Sequence, residues 1–242
     1  MTATSYRCAV VGPGRMGAAL VAALNDAGWQ VIGPLGRGAD PADVDLVILA
    51  VPDAEIGAAA SALTPRASLI VGHCSGATSL APLAPHNAFS LHPLMTVTGT
   101  GAQFTGAAAA LSAGSPAAET AASAVADALG LRTFSVDDGE RAAYHAGASI
   151  ASNFLVTLLA VAEQVSGVDR QELAPLVRAS VENWERLGAE LALTGPVARG
   201  DHATVERQRS AVADQAPELL PVFDALLNQT EALAARRIEA VA

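Results

Sequence analysis

The sequence predicts an α/β chain: an N-terminal, mostly parallel sheet over residues 1–138, then an all-α domain over residues 139–242. Three observations carry that expectation. Short apolar runs alternate with alanine-rich helical stretches through the first part, the pattern of strands joined by crossover helices. Some runs, such as Asp45-Leu-Val-Ile-Leu-Ala-Val-Pro52, are almost entirely apolar instead of alternating, as strands buried on both faces should be. From Gly139 onward the strand-like runs cease and helical patterning takes over.

The first element is the stretch from Ser5 to Leu20, around which the rest is organised. Residues 8–11 read as a buried strand and 18–27 as a helix, with Gly12, Gly14 and Gly17 between them at GxGxxG spacing. Each glycine has a physical task in a dinucleotide site: Gly12 makes the tight turn, Gly14 lets a diphosphate approach the backbone, and Gly17 lets the helix pack closely on its strand. The helix start adds free N–H groups and a partial positive charge. A second strand is expected at 29–33. No acid stands at its end to hold a ribose 2′-hydroxyl; Arg37 stands there instead and can pair with a 2′-phosphate, or be a solvated loop arginine. The strand at 45–52 begins only a dozen residues later, so the helix that usually covers the adenosine side is expected to be missing or reduced to a turn.

Asp53 is placed to cap a helix over 54–63. A strand at 67–72 runs into His73-Cys-Ser-Gly76, and one at 87–91 into His92-Pro-Leu94. Both segments lie beyond strand ends, where open α/β sheets meet ligands. A strand at 106–113, a helix at 116–129 and a strand at 131–136 complete the sheet. The helical part then has a long apolar helix over 140–165, expected to be buried all round, and helices at 169–188, 203–213 and from 217 to the end.

Composition narrows the function. The chain has 242 residues, 51% hydrophobic but only 4% aromatic, so stability must come from many close alanine contacts instead of aromatic anchors. A net charge of −10 with scattered arginines argues against nucleic acid and anionic membrane as partners. All 14 basic residues are arginine, which excludes any mechanism needing a lysine amine. Cys8 and Cys74 lie far apart, in or beside core strands, as in a reducing cytoplasm. The N-terminus has no signal pattern and no apolar run reaches the ~20 residues of a membrane span, so a soluble, cytoplasmic protein is expected.

On the long helix, Ser149, Ser152 and Asn153 follow His145 at i+4, i+7 and i+8, which puts the four on one face. The serines are expected to bond back to the helix. His145 and Asn153 are expected to face the glycine loop, His145 as proton donor and Asn153 holding the substrate oxygen. His73, with Ser75, and His92 are read as substrate-orienting or loop-capping groups. Arg199 can grip a substrate carboxylate bidentately, or pair with Asp201 across its turn. No three histidines have metal-ligand spacing, and no GxSxG elbow is present.

These residues resemble a known family. The loop Gly12-Pro-Gly-Arg-Met-Gly17, the strand end Leu49-Ala-Val-Pro-Asp53, His73-Cys-Ser-Gly76, Ser90-Leu-His-Pro-Leu94, Tyr144-His-Ala146 with Ser152-Asn153, and Leu193-Thr-Gly-Pro-Val-Ala-Arg-Gly-Asp201 are similar to Rossmann-like proteins carrying a C-terminal domain of unknown function 2520, grouped with 6-phosphogluconate dehydrogenases. The resemblance covers nearly the whole chain. It implies an NADP-linked reductase of a small 2-oxo acid, ketopantoate among the substrates of some members, and a homodimer built through the helical domain. The expected cofactor residues are Gly12, Pro13, Gly14, Arg15, Met16, Gly17, Arg37, Val51 and Pro52, with NAD the less favoured cofactor. The substrate set is His73, Ser75, His92, Ser149 and Arg199. Two features depart from the family: the absent lysine, whose place His145 would take, and the shortened segment from Pro34 to Val44. A non-catalytic metabolite-binding protein and a pyrroline-5-carboxylate-type imine reductase are the alternatives.

Overall fold

The computed structural model describes residues 6–99 and 101–241; Ser5, at the start of the organising stretch, and Ala242, where the last helix was expected to end, lie outside them. Contacts divide the chain into two compact units, Met1–Ser152 and Asn153–Ala242. The boundary falls inside the long helix rather than at residue 138. The reason is local: the first half of that helix is bonded to the sheet through Arg141 and Tyr144.

In the first unit, seven strands form one sheet: β1 (Arg7–Val11), β2 (Gln30–Leu35), β3 (Leu46–Leu49), β4 (Ile70–His73), β5 (Asn87–Pro93), β6 (Ala108–Ala113) and β7 (Arg132–Ser135). Their order is β2-β1-β3-β4-β5-β6-β7, and every neighbouring pair is parallel except β5 with β6. The side-chain period of two sorts the core into two layers. On one face, Cys8, Val10, Leu46, Ile48 and Phe89 pack with helices α1 (Arg15–Asp26) and α3 (Pro116–Ala128). On the other, Ala9, Val11, Val47, Leu49 and Val71 pack with Ile56 and Ala60 of α2 (Ile56–Ser61). Ala118, Ala121, Ala122 and Ala126 of α3 are all buried, so the alanine content is used for close helix-on-sheet contact. Ser115 caps α3 by accepting from the Ala118 N–H at 3.1 Å.

The crossover from β2 to β3 contains only turns, as its length requires. Asp53 departs from expectation. It opens a 3₁₀ turn, Asp53–Glu55, and its side chain caps nothing, because Pro52 occupies the capping position. The helix that follows is accordingly shorter than 54–63.

After a 3₁₀ turn, Asp138–Glu140, the long helix runs as α4 (Arg141–Ser149), a π-helical turn (Ile150–Phe154) and α5 (Leu155–Ser166), closed by Gly167 at φ 66°. The π turn breaks the simple stripe. Ser149 keeps its i+4 relation to His145, but Ser152 and Asn153 lie within the widened turn. The helix is also not buried all round. Ile150, Phe154 and Val156 are exposed, the last at 67%. Residues 138–166 form one helix long and apolar enough to cross a membrane, with none of its apolar window buried. A mean hydropathy of 1.5 survives the interspersed His145, Ser149, Ser152 and Asn153, which a search for an unbroken apolar run overlooks.

The second unit continues with α6 (Arg170–Leu187), α7 (Ala189–Ala192), α8 (Gly195–Ala198), α9 (His202–Gln215) and α10 (Leu220–Val241). Arg209 on α9 binds Asp224 on α10 through two bonds of 2.8 Å. Val205, Val212 and Ala216 are its buried residues, while Leu176 and Trp184 on α6 are exposed.

Candidate active site

The glycine loop is built as its spacing requires. Gly12 has φ +118°, and a Cβ there would run into the Ala50 carbonyl at the end of β3. A Cβ on Gly17 would collide with the Gly12 carbonyl, so the loop closes onto α1 only with glycine there. Gly14, the residue before α1, is exposed, and a Cβ there would meet nothing within 4 Å. The backbone next to the helix start is therefore open to a ligand, and the first N–H groups of α1 have no capping side chain.

Beside this loop lies a cleft of about 370 Å³. Of the expected cofactor residues it brings together Gly12, Pro13, Gly14, Arg37, Val51 and Pro52. Arg15, Met16 and Gly17 are not on its wall: Arg15 is exposed, Met16 packs against the core, and Gly17 is buried in the loop-to-helix joint. The missing crossover helix is compensated by Gly38 on one side and Ala58 and Ala59 of α2 on the other. Arg37 is 83% exposed and bonds Glu55 at 2.7 Å across the cleft mouth. An ion pair this exposed is held weakly, so the guanidinium is free to turn to another anion. Glu55 gave no signal in the sequence, since its partner lies eighteen residues away.

The histidines at the strand ends differ. His73 is wholly buried; its Nδ1 accepts from the Ser75 N–H at 3.1 Å and its Nε2 donates to the Ser79 carbonyl at 3.1 Å. Burial holds it below the usual histidine range. Ser75 accepts from the Ala77 and Thr78 N–H groups and donates to the Thr78 hydroxyl. Both residues therefore staple the loop after β4, the loop-capping alternative of their expected role, and these bonds leave His73 no ring nitrogen for a substrate.

His92 is half-buried, and its Nδ1 lies 2.7 Å from the Tyr144 hydroxyl. Its ring stands edge-on to Tyr144, with centroids 5.6 Å apart, and to His145 at 5.9 Å. Burial, helped by the nearby His145, pushes His92 down to about 4. At neutral pH the ring is uncharged, and its Nδ1 shares one hydrogen bond with the Tyr144 hydroxyl. Burial raises the Tyr144 phenol, and the nearby Arg141 cation opposes that rise. Gly76 is the floor of this cluster: a Cβ there would come within 2.8 Å of His92 and 2.9 Å of His145. The loop after β4, the end of β5 and α4 thus converge on the edge of the sheet that also carries Gly12 and Pro52.

Other expected site residues are less engaged. Ser149 is half-buried, and Ser152 donates back to the Ala148 carbonyl at 2.7 Å, as a helical serine does. Asn153 is exposed and belongs to the second unit. Arg199 is exposed, also in the second unit, and lines a separate cleft of about 560 Å³ with His202 and Glu231. Asp201 does not pair with it; it caps α9 by accepting from the Thr204 N–H at 3.1 Å. Burial pushes the Cys8 and Cys74 thiols up to about 12, so neither is a ready nucleophile. Tyr144, quoted from the sequence only for the family resemblance, and Arg141 join this cluster, although sequence reasoning gave neither a site role. The i+3 and i+4 spacing of Tyr144 and His145 from Arg141 was available but pointed to no partner.

Residues 107–230, more than half of the chain, match the family described as a domain of unknown function (DUF2520). The chain belongs to that family. No curated protein matches it in sequence. Among solved structures it is similar to a Bacteroides fragilis protein provisionally titled an NADP oxidoreductase, with a TM-score of 0.79, 17% identity, and 94% and 98% of the two chains covered. A Thermotoga maritima protein follows with a TM-score of 0.75, 22% identity, and 95% and 98% coverage. A reductive aminase of Aspergillus terreus, solved with NADPH and ethyl levulinate, has a TM-score of 0.64, 18% identity, and 98% and 99% coverage. At these identities the likeness establishes the Rossmann-type fold.

Proposed function

We propose that this DUF2520 protein is a reductase that takes NADP in preference to NAD and reduces a polar double bond, C=O or C=N, in a small substrate. The observation that carries the reading is the Tyr144–His92–His145 cluster on the same sheet edge as the glycine cradle. The chain's own residues fit the cofactor: the open backbone at Gly14 and the start of α1 suit a diphosphate, and Arg37 suits a 2′-phosphate. When bound, the dinucleotide supplies a hydride. Tyr144 gives the one proton that completes the reduction, with neutral His92 orienting the phenol, and His145 is the alternative donor. Asn153 and Arg199 are proposed to hold the substrate's oxygen and carboxylate.

A 2-oxo acid, ketopantoate included, is the first substrate class. A cyclic imine is the second, favoured by the likeness to proteins titled reductive aminase, imine reductase and pyrroline-5-carboxylate reductase. Exposed Ile150, Phe154 and Val156 support a homodimer joined through the helices, and we place the protein in the cytoplasm. Following NADPH oxidation against a panel of 2-oxo acids and cyclic imines tests the reading. Turnover of one class is expected; if NADPH fails to bind up to millimolar concentration, the chain is instead a non-catalytic metabolite-binding protein.

A further inference from the structure

We propose that Arg141 is a positioning residue for the Tyr144–His92 pair, fixing α4 on β5 and presenting its guanidinium charge to the phenol. The inference rests on the proton-delivering role given to that pair above. Arg141 is 1% exposed, the largest wholly buried side chain of the described residues. Its Nε donates to Asp138 Oδ1 at 2.8 Å and its NH2 group to Ser90 Oγ at 2.9 Å; its NH1 group is buried without a partner.

The spacing of these groups is what assigns the role. Ser90 and His92 are two apart on β5 and so share a face of the strand. Arg141, Tyr144 and His145 stand at i, i+3 and i+4 on α4 and so share a face of the helix. Two parallel rungs therefore join the same pair of elements, Arg141 to Ser90 and Tyr144 to His92. The first sets the helical register at which the second closes.

The arginine is poorly chosen for stability alone. Its only carboxylate, Asp138, is 62% exposed, and an unmet buried donor costs about 1–3 kcal/mol. Replacing a buried ionic group by apolar side chains of similar size is often neutral or stabilising. What an apolar residue cannot supply is the charge beside the phenol, which favours the phenolate left once Tyr144 has given its proton away. The titratable groups acting on His92 and Tyr144 are His145 and Arg141 on α4, His73 on β4 and Asp53 after β3, while Asp138, before α4, pairs with Arg141. Arg141 is the one that acts on both.

The chain has only two tyrosines, so Tyr6→Phe leaves Tyr144 as the sole phenol, and its ionisation can be followed by ultraviolet absorbance. In that background, R141M with S90A removes both ends of the first rung and leaves neither orphaned. The phenol titration is expected to move up by about one pH unit, with the melting temperature held or raised. R141K keeps the charge and is expected to titrate as the parent does; it also serves should the double variant fail to fold. An unmoved titration with a lowered melting temperature overturns the proposal, as does an R141K titration displaced as far as that of the methionine variant. NADPH binding to the same proteins, read by fluorescence, tests the cofactor reading separately, because Arg141 does not line the nucleotide cleft.

Discussion

The ends of β4 and β5 lie side by side, and each carries a histidine, yet the two are bonded in opposite ways. His73 has both nitrogens committed to backbone atoms of its own loop and no exposure. His92 spends one nitrogen on a side chain from a different element and is only partly buried. Satisfaction within one loop marks a structural histidine. A bond that reaches from the sheet to a helix fifty-two residues on marks one whose geometry was worth fixing from two sides.

The largest expected effect lies outside this pair and sets its scale. Gly17→Val drives a side chain into the Gly12 carbonyl and should abolish NADPH binding in a fluorescence titration; retained affinity would detach the cradle from the site. Tyr144→Phe and His92→Ala should each lower kcat about 10²–10⁴-fold while leaving the cofactor Kd unchanged. His73→Ala should do the reverse: denaturant melts should show a loss of about 2–4 kcal/mol from two orphaned backbone groups and a cavity, with kcat of the folded protein nearly unchanged. A catalytic defect without a stability defect there would erase the contrast.

The pH dependence sharpens it further. Both histidines titrate lower in the folded chain than the usual 6.5, so the unfolded state binds protons first as the pH falls. Their contribution to stability is whole above about 6.5 and is lost as the pH drops through the folded values, near 4 for His92. Thermal melts from pH 7 to pH 4 should therefore fall less steeply for His92→Phe than for the parent. The smallest effect is Arg199→Ala, expected to raise substrate KM about tenfold with kcat held. No change would leave Arg199 a surface residue of the helical unit.

Much of this was legible in the residues. The apolar runs became strands, the glycine spacing became a turn with the predicted crowding at Gly12 and Gly17, and the short segment before Asp45 did lack a helix. The candidate site was legible only in part. Of the histidines at strand ends, the sequence could not say which one was sated by its own loop, because Ser79 and Tyr144 are equally anonymous until the chain is folded. The stripe from His145 to Asn153 assumed an unbroken 3.6-residue period, and the π turn changed it.

By itself the sequence determined the order of elements, the glycine cradle and the absence of lysine chemistry. These depend on local pattern, backbone sterics and residue inventory, which need no partner in space. The tertiary structure alone decided that Arg141 is buried with unmet donors, that Tyr144 meets His92, and that the apolar helix is left uncovered. Each of those is fixed by a contact, or by its lack, between residues far apart along the chain. Hydrogen bonds and burial are set by such encounters, and no periodicity records them.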